Sequence, residues 1–255
     1  MFRQMVLTAV GGIPTIHPGD DLAEIVAEAL RRTELAVADG DVLVIAQKVV
    51  SKAERRRMLL ADVTPSDRAV ELADIAEKDP RVVELILRES VEVLRCRPGV
   101  IIVEHRSGLV MANAGIDASN VEAADGGESV LLLPLDADRS ARELRAHLRN
   151  RLGCDFGIVI NDSFGRAWRN GTIGTAIGVA GITALWDLRG MPDRNGRILK
   201  ATDVAIADEV AAAGSLLMGQ AAEGFPVIHV QGFPVSGGQG VSRDLIRDRR
   251  LDLFR

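Results

Sequence analysis

The chain has 255 residues, of which 47% are apolar and 26% are charged. This composition is typical of a globular protein with a sizeable core, folded as one large domain or as two intertwined smaller ones. The formal net charge is −5, aromatic residues make up 3% and tyrosine is absent, which argues against a general nucleic-acid binder and against RNA recognition by stacked aromatic side chains.

No signal peptide or membrane segment is expected from the sequence. The N-terminus is too short and too mixed for a signal peptide, and no apolar run reaches the length needed to cross a bilayer. Cys96 and Cys154 form neither a CxxC nor a zinc pattern, so we interpret them as small buried residues in a reducing compartment. Together these features predict a cytoplasmic protein.

Apolar periodicity and turn residues predict a chain of alternating strands and helices. The predicted strands are residues 5–10, 42–46, 100–103, 109–114, 129–134, 156–160 and 227–230. The predicted helices are residues 22–36, a segment opened by Thr64, Pro65 and Ser66 that runs to about residue 78, and residues 79–90, 138–152 and 202–218. Residues 172–185, with glycines at 174, 178 and 181, fit either a closely packed core helix or a strand pair, and residues 187–200 are expected to form a loop.

The order of these elements predicts the fold class. Gly108 lies near the turn between the strands at 100–103 and 109–114, which favours a hairpin. The chain is therefore expected to be α/β (α+β-like), with mixed, partly antiparallel sheets and flanking helices, and not a plain βαβ series.

The segment FGIVINDSFGRAWRNG, residues 156–171, is the most informative part of the chain. A buried strand ends in Asp162 and Ser163, and a glycine- and arginine-rich loop containing Arg166 and Arg169 follows. Carboxylate and hydroxyl oxygens suit Mg²⁺ or Mn²⁺, and guanidinium groups suit an anion. A capped turn with solvated arginines is the simpler alternative. Trp168, between the arginines, is either a core residue or a platform for substrate.

Familiar catalytic motifs are absent from the sequence. It contains no P-loop, no GxGxxG after a strand, no GxSxG elbow and no histidine cluster, so those nucleotide, hydrolase and zinc sites are not supported. Pairs of oxygen and cation donors remain at predicted strand ends or in nearby turns, namely Asp117 with Asn120, Asp162 with Ser163, Gln220 with Glu223, and Lys48 with Lys52. Two carboxylates with a hydroxyl and amides are what one or two Mg²⁺ or Mn²⁺ ions need when a triphosphate supplies further ligands.

Several motifs occur in an order that resembles the F420 γ-glutamyl ligase family. They are GGIP, DVLVIAQKVVSKAE, ANAGIDASN, INDSFGRAWRNG, AIGVAGI, DLRG, DRNGR and MGQAAEGFPV. The resemblance covers residues 10–235 and corresponds to the stand-alone form of the ligase. It implies a mixed α/β fold, in a single domain over 1–255 or two intertwined subdomains, assembled as an intertwined homodimer.

The resemblance also implies the activity and the ligands. It implies a GTP-dependent ligase that adds L-glutamate to the carboxylate of coenzyme F420-0 and then further γ-linked glutamates, using two Mg²⁺ or Mn²⁺ ions and assisted by K⁺. Asp117 and Asp162 would hold the first metal, and Ser163 and Gln220 the second. The implied GTP contacts are Gly12, Ile13, Pro14, Thr15, Gln47, Lys48, Lys52, Asn120, Met218, Gly219, Gln220, Ala221, Ala222, Glu223, Gly224 and Phe225.

The chain departs from the family pattern at Ala167, where many members have proline, and at Ser163, where relatives often have threonine. We hypothesise that Arg166 or Arg169 binds an anion, which is a GTP phosphate, the F420-0 phosphodiester or the incoming glutamate. Two alternative functions stay open: a GTP-binding module without catalysis, and a related metal-dependent ligase that acts on another carboxylate.

Overall fold

The structure is a computed structural model that describes residues 4–117, 127–234 and 237–252. These residues form six α-helices and twelve strands. The helices are α1 (Leu22–Arg32), α2 (Gln47–Ala53), α3 (Asp67–Ala76), α4 (Pro80–Arg88), α5 (Ala137–Leu152) and α6 (Ile206–Met218). The strands are β1 (Val6–Ala9), β2 (Val42–Ala46), β3 (Arg57–Leu59), β4 (Ser90–Arg97), β5 (Val100–His105), β6 (Val110–Ala112), β7 (Ser129–Leu131), β8 (Gly157–Arg166), β9 (Arg169–Ala180), β10 (Trp186–Asp187), β11 (Asp203–Val204) and β12 (Val227–Gln231).

A five-stranded sheet in the order β1-β12-β2-β8-β9 is the centre of the fold. Strands β2 and β8 are parallel, and the other neighbours in this sheet are antiparallel. The mixed sheets predicted from the sequence are confirmed. The parallel register pairs Ala46 with Asn161, so the chain leaves β2 beside the point where β8 turns from apolar to polar. This pairing places the residues after Ala46 next to Asp162.

Helices cover both faces of the central sheet. Helices α1 and α5 pack on one face around Leu43, Ile45 and Ile158, and α6 packs on the other face around Val44 and Val159. Because alternate residues of a strand point to opposite faces, a continuous apolar run such as VLVIA fills both cores.

Two glycines of β9 permit this close packing. A Cβ added at Gly174 would lie 2.6 Å from Ala211 O in α6, and one at Gly178 would lie 2.3 Å from Ala137 O in α5. The segment that fitted either a helix or a strand pair is therefore a strand, and the prediction of close backbone packing there is confirmed.

A second group of elements lies beside the sheet. Helices α3 and α4 pack on the antiparallel sheet β4-β5-β6 around Ile86, Ile101 and Val103. Strands β3 and β7 pair separately, and β6 contacts β8. The hairpin predicted between β5 and β6 is confirmed.

A buried ion cluster stabilises this second group. Glu89, 5% exposed, accepts a hydrogen bond of 3.0 Å from Arg56 and another from Arg106. Burial would raise the pKa of the Glu89 carboxyl, but neighbouring His105 and the two guanidinium charges outweigh burial and hold the pKa below its usual value.

Capping residues account for most of the helix boundaries. Asp21, Ser66, Asp79 and Asp136 each accept a hydrogen bond from a backbone N–H in the first turn of the helix that follows. Gly153 ends α5 in the left-handed region, with φ of 73°, as the sequence predicted. Within the described chain, no helix has the length and apolar content to cross a bilayer.

Several elements differ from the sequence predictions. The glycine- and arginine-rich segment after Ile160 is not a loop, because β8 continues to Arg166 and turns back into β9. The predicted helix at 202–218 begins only at Ile206, after the short strand β11. Helix α2 and strand β4 were not predicted. The cysteines are free and half-buried, not fully buried.

Candidate functional site

A cleft of about 1090 Å³ opens where β2 and the buried half of β8 end. Segments distant in sequence meet there: the loop before α1, the first turn of α2, the β6 region, the β8–β9 hairpin and the turn after α6. The predicted site residues that line the cleft are Ile13, Pro14, Thr15, Gln47, Lys48, Lys52, Asp117, Asp162, Ser163, Arg166, Arg169, Met218, Gly219, Gln220, Ala221, Gly224 and Phe225.

Three predicted residues border the cleft without lining it. The carbonyl of Gly12 accepts a 2.6 Å hydrogen bond from the Arg32 guanidinium. Ala222 and Glu223 lie in the turn after α6, where Glu223 accepts a 2.8 Å bond from the backbone N–H of Ala221. The predicted residue Asn120 lies outside the described residues.

Asp162 is positioned by the central sheet. It lies on β8 opposite Thr175 of β9, and its Oδ1 accepts a 2.8 Å hydrogen bond from the backbone N–H of Ser163. Burial, aided by the negative charge of nearby Asp117, raises the pKa of the Asp162 carboxyl to about 7, although the Ser163 N–H and the Lys48 ammonium oppose the rise. The carboxylate is thus held in a place where its negative charge is poorly compensated.

Asp117 lies near Asp162 and is anchored by a short β-bridge. Its backbone N–H and C=O both bond to Leu131 in an isolated antiparallel bridge. Its Oδ2 lies 2.5 Å from Nζ of Lys48, which stands in the first turn of α2. The neighbouring Gln47 is buried and donates from Nε2 to Ser51 Oγ at 2.8 Å. Two carboxylates and one ammonium therefore converge from three segments of chain.

The donor set fits a hard divalent cation. Over the described ranges, no group of three or more His, Cys, Asp and Glu side chains is placed to hold a metal. A cation beside Asp117 and Asp162 would therefore draw further ligands from the hydroxyl of Ser163, an amide or a bound phosphate, which are the oxygen ligands that Mg²⁺ accepts. The poorly compensated charge of Asp162 is the feature that such a cation would stabilise.

The turn after α6 is held by its own hydrogen bonds. Gly219 adopts φ of 73°, and a Cβ there would lie 2.1 Å from Cδ of Glu223, so only glycine permits this turn. Gln220 donates from Nε2 to Ser215 Oγ at 3.1 Å. The turn presents backbone groups and the Gln220 amide to the cleft.

The β8–β9 hairpin forms one wall of the cleft. Arg166 and Arg169 both line it, and within the described part of the chain neither guanidinium has a hydrogen-bond or ion-pair partner. Trp168 is 86% exposed, so of the two alternatives for this residue the structure excludes core packing and leaves the substrate platform open. Among the described residues, the hairpin therefore presents two cationic groups without protein partners and an exposed aromatic ring.

Sequence reasoning missed Asn161 and the apolar part of the lining. Asn161 is buried, its Nδ2 contacts Met218 Sδ at 3.4 Å, and its Oδ1 has no partner in the described structure. Its position directly before Asp162 was the available signal. Ile102, Val110 and Met111 also line the cleft, but apolar strand residues carry no signal that distinguishes a cleft wall from a core.

Comparison with known proteins agrees with the motifs. The family model described as F420-0:Gamma-glutamyl ligase matches residues 12–232. The chain is 43% identical to the protein named Coenzyme F420:L-glutamate ligase from Methanothermobacter thermautotrophicus over 251 residues, covering 98% of each chain. It is 45% identical to the protein of the same name from Methanopyrus kandleri, covering 96% of this chain and 100% of that one, and 41% identical to that from Methanocaldococcus jannaschii, covering 95% and 94%. The chain thus belongs to the F420-0:Gamma-glutamyl ligase family.

Proposed function

We propose that this protein is a GTP-dependent ligase that joins L-glutamate to the carboxylate of coenzyme F420-0 and then adds further γ-linked glutamates, in the cytoplasm. The observation that carries the proposal is the convergence of Lys48, Asp117 and Asp162 at one cleft. The names of the full-length relatives, which give coenzyme F420 and L-glutamate, and the description of the family model, which gives F420-0, support the choice of acceptor and amino acid. We also propose that the protein assembles as an intertwined homodimer.

Amide formation requires activation of the acceptor, because a carboxylate is a poor electrophile. In the proposed first step, a carboxylate oxygen of F420-0 bonds to the γ-phosphorus of GTP, and the bond between that phosphorus and the bridging oxygen breaks to release GDP. In the second step, the glutamate amine attacks the acyl carbon of the acyl phosphate. Inorganic phosphate leaves, and the amine loses a proton to the medium as the amide forms.

The protein contributes mainly by positioning and by neutralising charge. Lys48 and Lys52 line the cleft beside the carboxylates and are placed to offset phosphate charge. Ile13, Pro14 and Thr15, with the turn after α6, are proposed to position the nucleotide.

Asp117 and Asp162 would hold a first Mg²⁺ or Mn²⁺, and Ser163 and Gln220 a second. When bound, these ions supply positive charge that stabilises the phosphates during transfer. K⁺ is proposed as an additional activator. Arg166 or Arg169 is proposed to bind one anion, which is a GTP phosphate, the acceptor phosphodiester or the incoming glutamate.

The test is GDP release by the purified protein with GTP and Mn²⁺. Release that requires both F420-0 and L-glutamate, with products heavier by glutamate residues in mass spectrometry, is expected. Tight GTP binding without turnover on any acceptor would instead support a binding module. Turnover with a different carboxylate, and none with F420-0, would support a related ligase.

A further inference from the structure

The tip of the β8–β9 hairpin presents an unusual aromatic side chain. Trp168 lies in the turn between Arg166 and Arg169, which are paired in the strand register. It has a positive φ of 64°, a conformation that is uncommon for a bulky residue and that costs about 1 kcal/mol or more. The indole is also 86% exposed, so no packing within the described chain explains why a large apolar residue is kept there.

Trp168 stands at the rim of the proposed site: it is not itself one of the residues that line the cleft, but its neighbours are. The residues flanking it, Arg166, Ala167 and Arg169, all line the cleft. Neither arginine has a partner in the described ranges, so positive charge accompanies the exposed ring. An aromatic surface beside unpaired guanidinium groups favours a ligand that is both aromatic and anionic.

The distance along β8 from Asp162 to the hairpin tip can be compared with the length of the acceptor. Arg166 follows Asp162 by four residues of strand, which corresponds to about 13 Å. In F420-0, about ten bonds separate the lactyl carboxylate from the deazaflavin ring. If each bond adds as much length as a bond of an extended polypeptide, the extended linker spans roughly 12 Å. An acceptor whose carboxylate lies near Asp162 is therefore long enough for its ring to reach the hairpin tip.

We propose that Trp168 forms the ring subsite of the acceptor, where its indole stacks on the tricyclic deazaflavin. This inference rests on the proposed function and deepens it, because it names a residue that selects the acceptor. Trp168 takes no part in phosphoryl or acyl transfer. It contributes binding energy remote from the reacting carboxylate.

The first experiment uses intrinsic fluorescence. The chain has two tryptophans, Trp168 and Trp186, and no tyrosine, so Trp186→Phe leaves Trp168 as the only strong emitter. With Mg²⁺ and a non-hydrolysable GTP analogue, saturating F420-0 should lower acrylamide quenching of Trp168 at least two-fold. The phosphodiester of lactate with a simple alkyl alcohol, which lacks the ring, should not. In the matched Trp168→Phe variant, the quenching of Trp186 should stay unchanged. Undiminished quenching of Trp168 at saturating F420-0 would overturn the proposal.

The second experiment uses steady-state kinetics. Trp168→Ala should raise the KM for F420-0 about ten-fold, within the range expected for loss of one stacking partner, while Trp168→Phe retains most of the affinity. The KM values for GTP and glutamate, and the inhibition constant of the ring-free phosphodiester, should change less than two-fold.

Other outcomes refute the ring subsite in distinguishable ways. A raised KM for GTP alone would assign the indole to the guanine base. A changed oligomeric state of Trp168→Ala in sedimentation would assign it to contact with a second copy of the chain. Normal ligation with unaltered kinetics in Trp168→Ala would refute only the subsite, whereas no ligation by the wild-type protein would refute the proposed function itself.

Discussion

Replacement of Asp162 by asparagine should stabilise the metal-free protein while it removes activity. The pKa of this carboxyl is about 7 in the folded chain, against an ordinary value of 3.8. Between these two pH values the folded state binds more protons than the unfolded state, so this group lowers the free energy of unfolding as the pH rises. This decrease in the free energy of unfolding is complete just above pH 7.

The size of this stability effect follows from the difference between the folded and the ordinary pKa of Asp162. Each pH unit between the folded and unfolded pKa corresponds to about 1.4 kcal/mol, so the full effect would be about 4 kcal/mol. Water at the cleft reduces it, and we expect about 2–4 kcal/mol. Asparagine carries no charge and can still accept the hydrogen bond from the Ser163 N–H. The variant should therefore gain this stability at pH 8 and little at pH 4.

The assay is urea unfolding followed by circular dichroism at several pH values between 4 and 8, with EDTA present. The quantity of interest is the difference in free energy of unfolding between variant and wild type at each pH. Asp74→Asn, at an exposed position of α3, is the matched control and should show a constant small difference. A difference for Asp162→Asn that does not grow with pH would refute the reasoning about burial.

The same variant should lose ligase turnover by roughly 10²- to 10³-fold, the effect of removing one electrostatic group at a reacting centre. Because the folded protein is more stable, misfolding could not explain that loss. Full activity in Asp162→Asn would refute the proposed metal role.

Three further perturbations probe other parts of the molecule. Arg169→Lys keeps the charge but loses the planar two-point geometry, so kcat/KM should fall about ten-fold, and unchanged kinetics would exclude an anion-binding role for Arg169. Glu89→Gln leaves the partly buried guanidinium of Arg56 without its buried counter-charge and should cost about 2–4 kcal/mol at pH 7, since Arg56 keeps some contact with water. Because the pKa of Glu89 is lowered, this difference should shrink as the pH falls through and below about 4.5, and a difference independent of pH would contradict the assignment. Gly178→Ala should cost about 1–3 kcal/mol by overpacking, measured by thermal unfolding against Gly165→Ala, where an added Cβ meets nothing within 4 Å; equal costs at the two sites would argue against the close contact with α5.

Local sequence patterns were sufficient to predict an element and its bounds where the pattern extends over the whole helix or strand. The strand at 42–46 has the predicted bounds, since five apolar residues between polar turns have few alternatives in a sheet protein. Helix α5 ends at Gly153 as expected, because a left-handed residue stops a helix regardless of tertiary context.

Local signals failed where the backbone depends on a distant partner. The outer half of β8, residues 161–166, is mostly polar and contains Gly165, so its sequence resembles a loop. Pairing with β9 supplies the hydrogen bonds that make it a strand. Helix α2 is only seven residues long, and its burial against the sheet is what stabilises it.

The sequence by itself determined the family and the mixed fold class, and it named most of the polar residues that line the cleft, because short motifs carry the chemical groups that a site needs. Only the tertiary structure decided which of those groups meet. The parallel pairing of β2 with β8 brings the residues after Ala46 to Asp162, and the bridge between Asp117 and Leu131 brings the second carboxylate. The elevated pKa of Asp162 and the outward placement of Trp168 likewise depend on burial and exposure, which are properties of the packed chain.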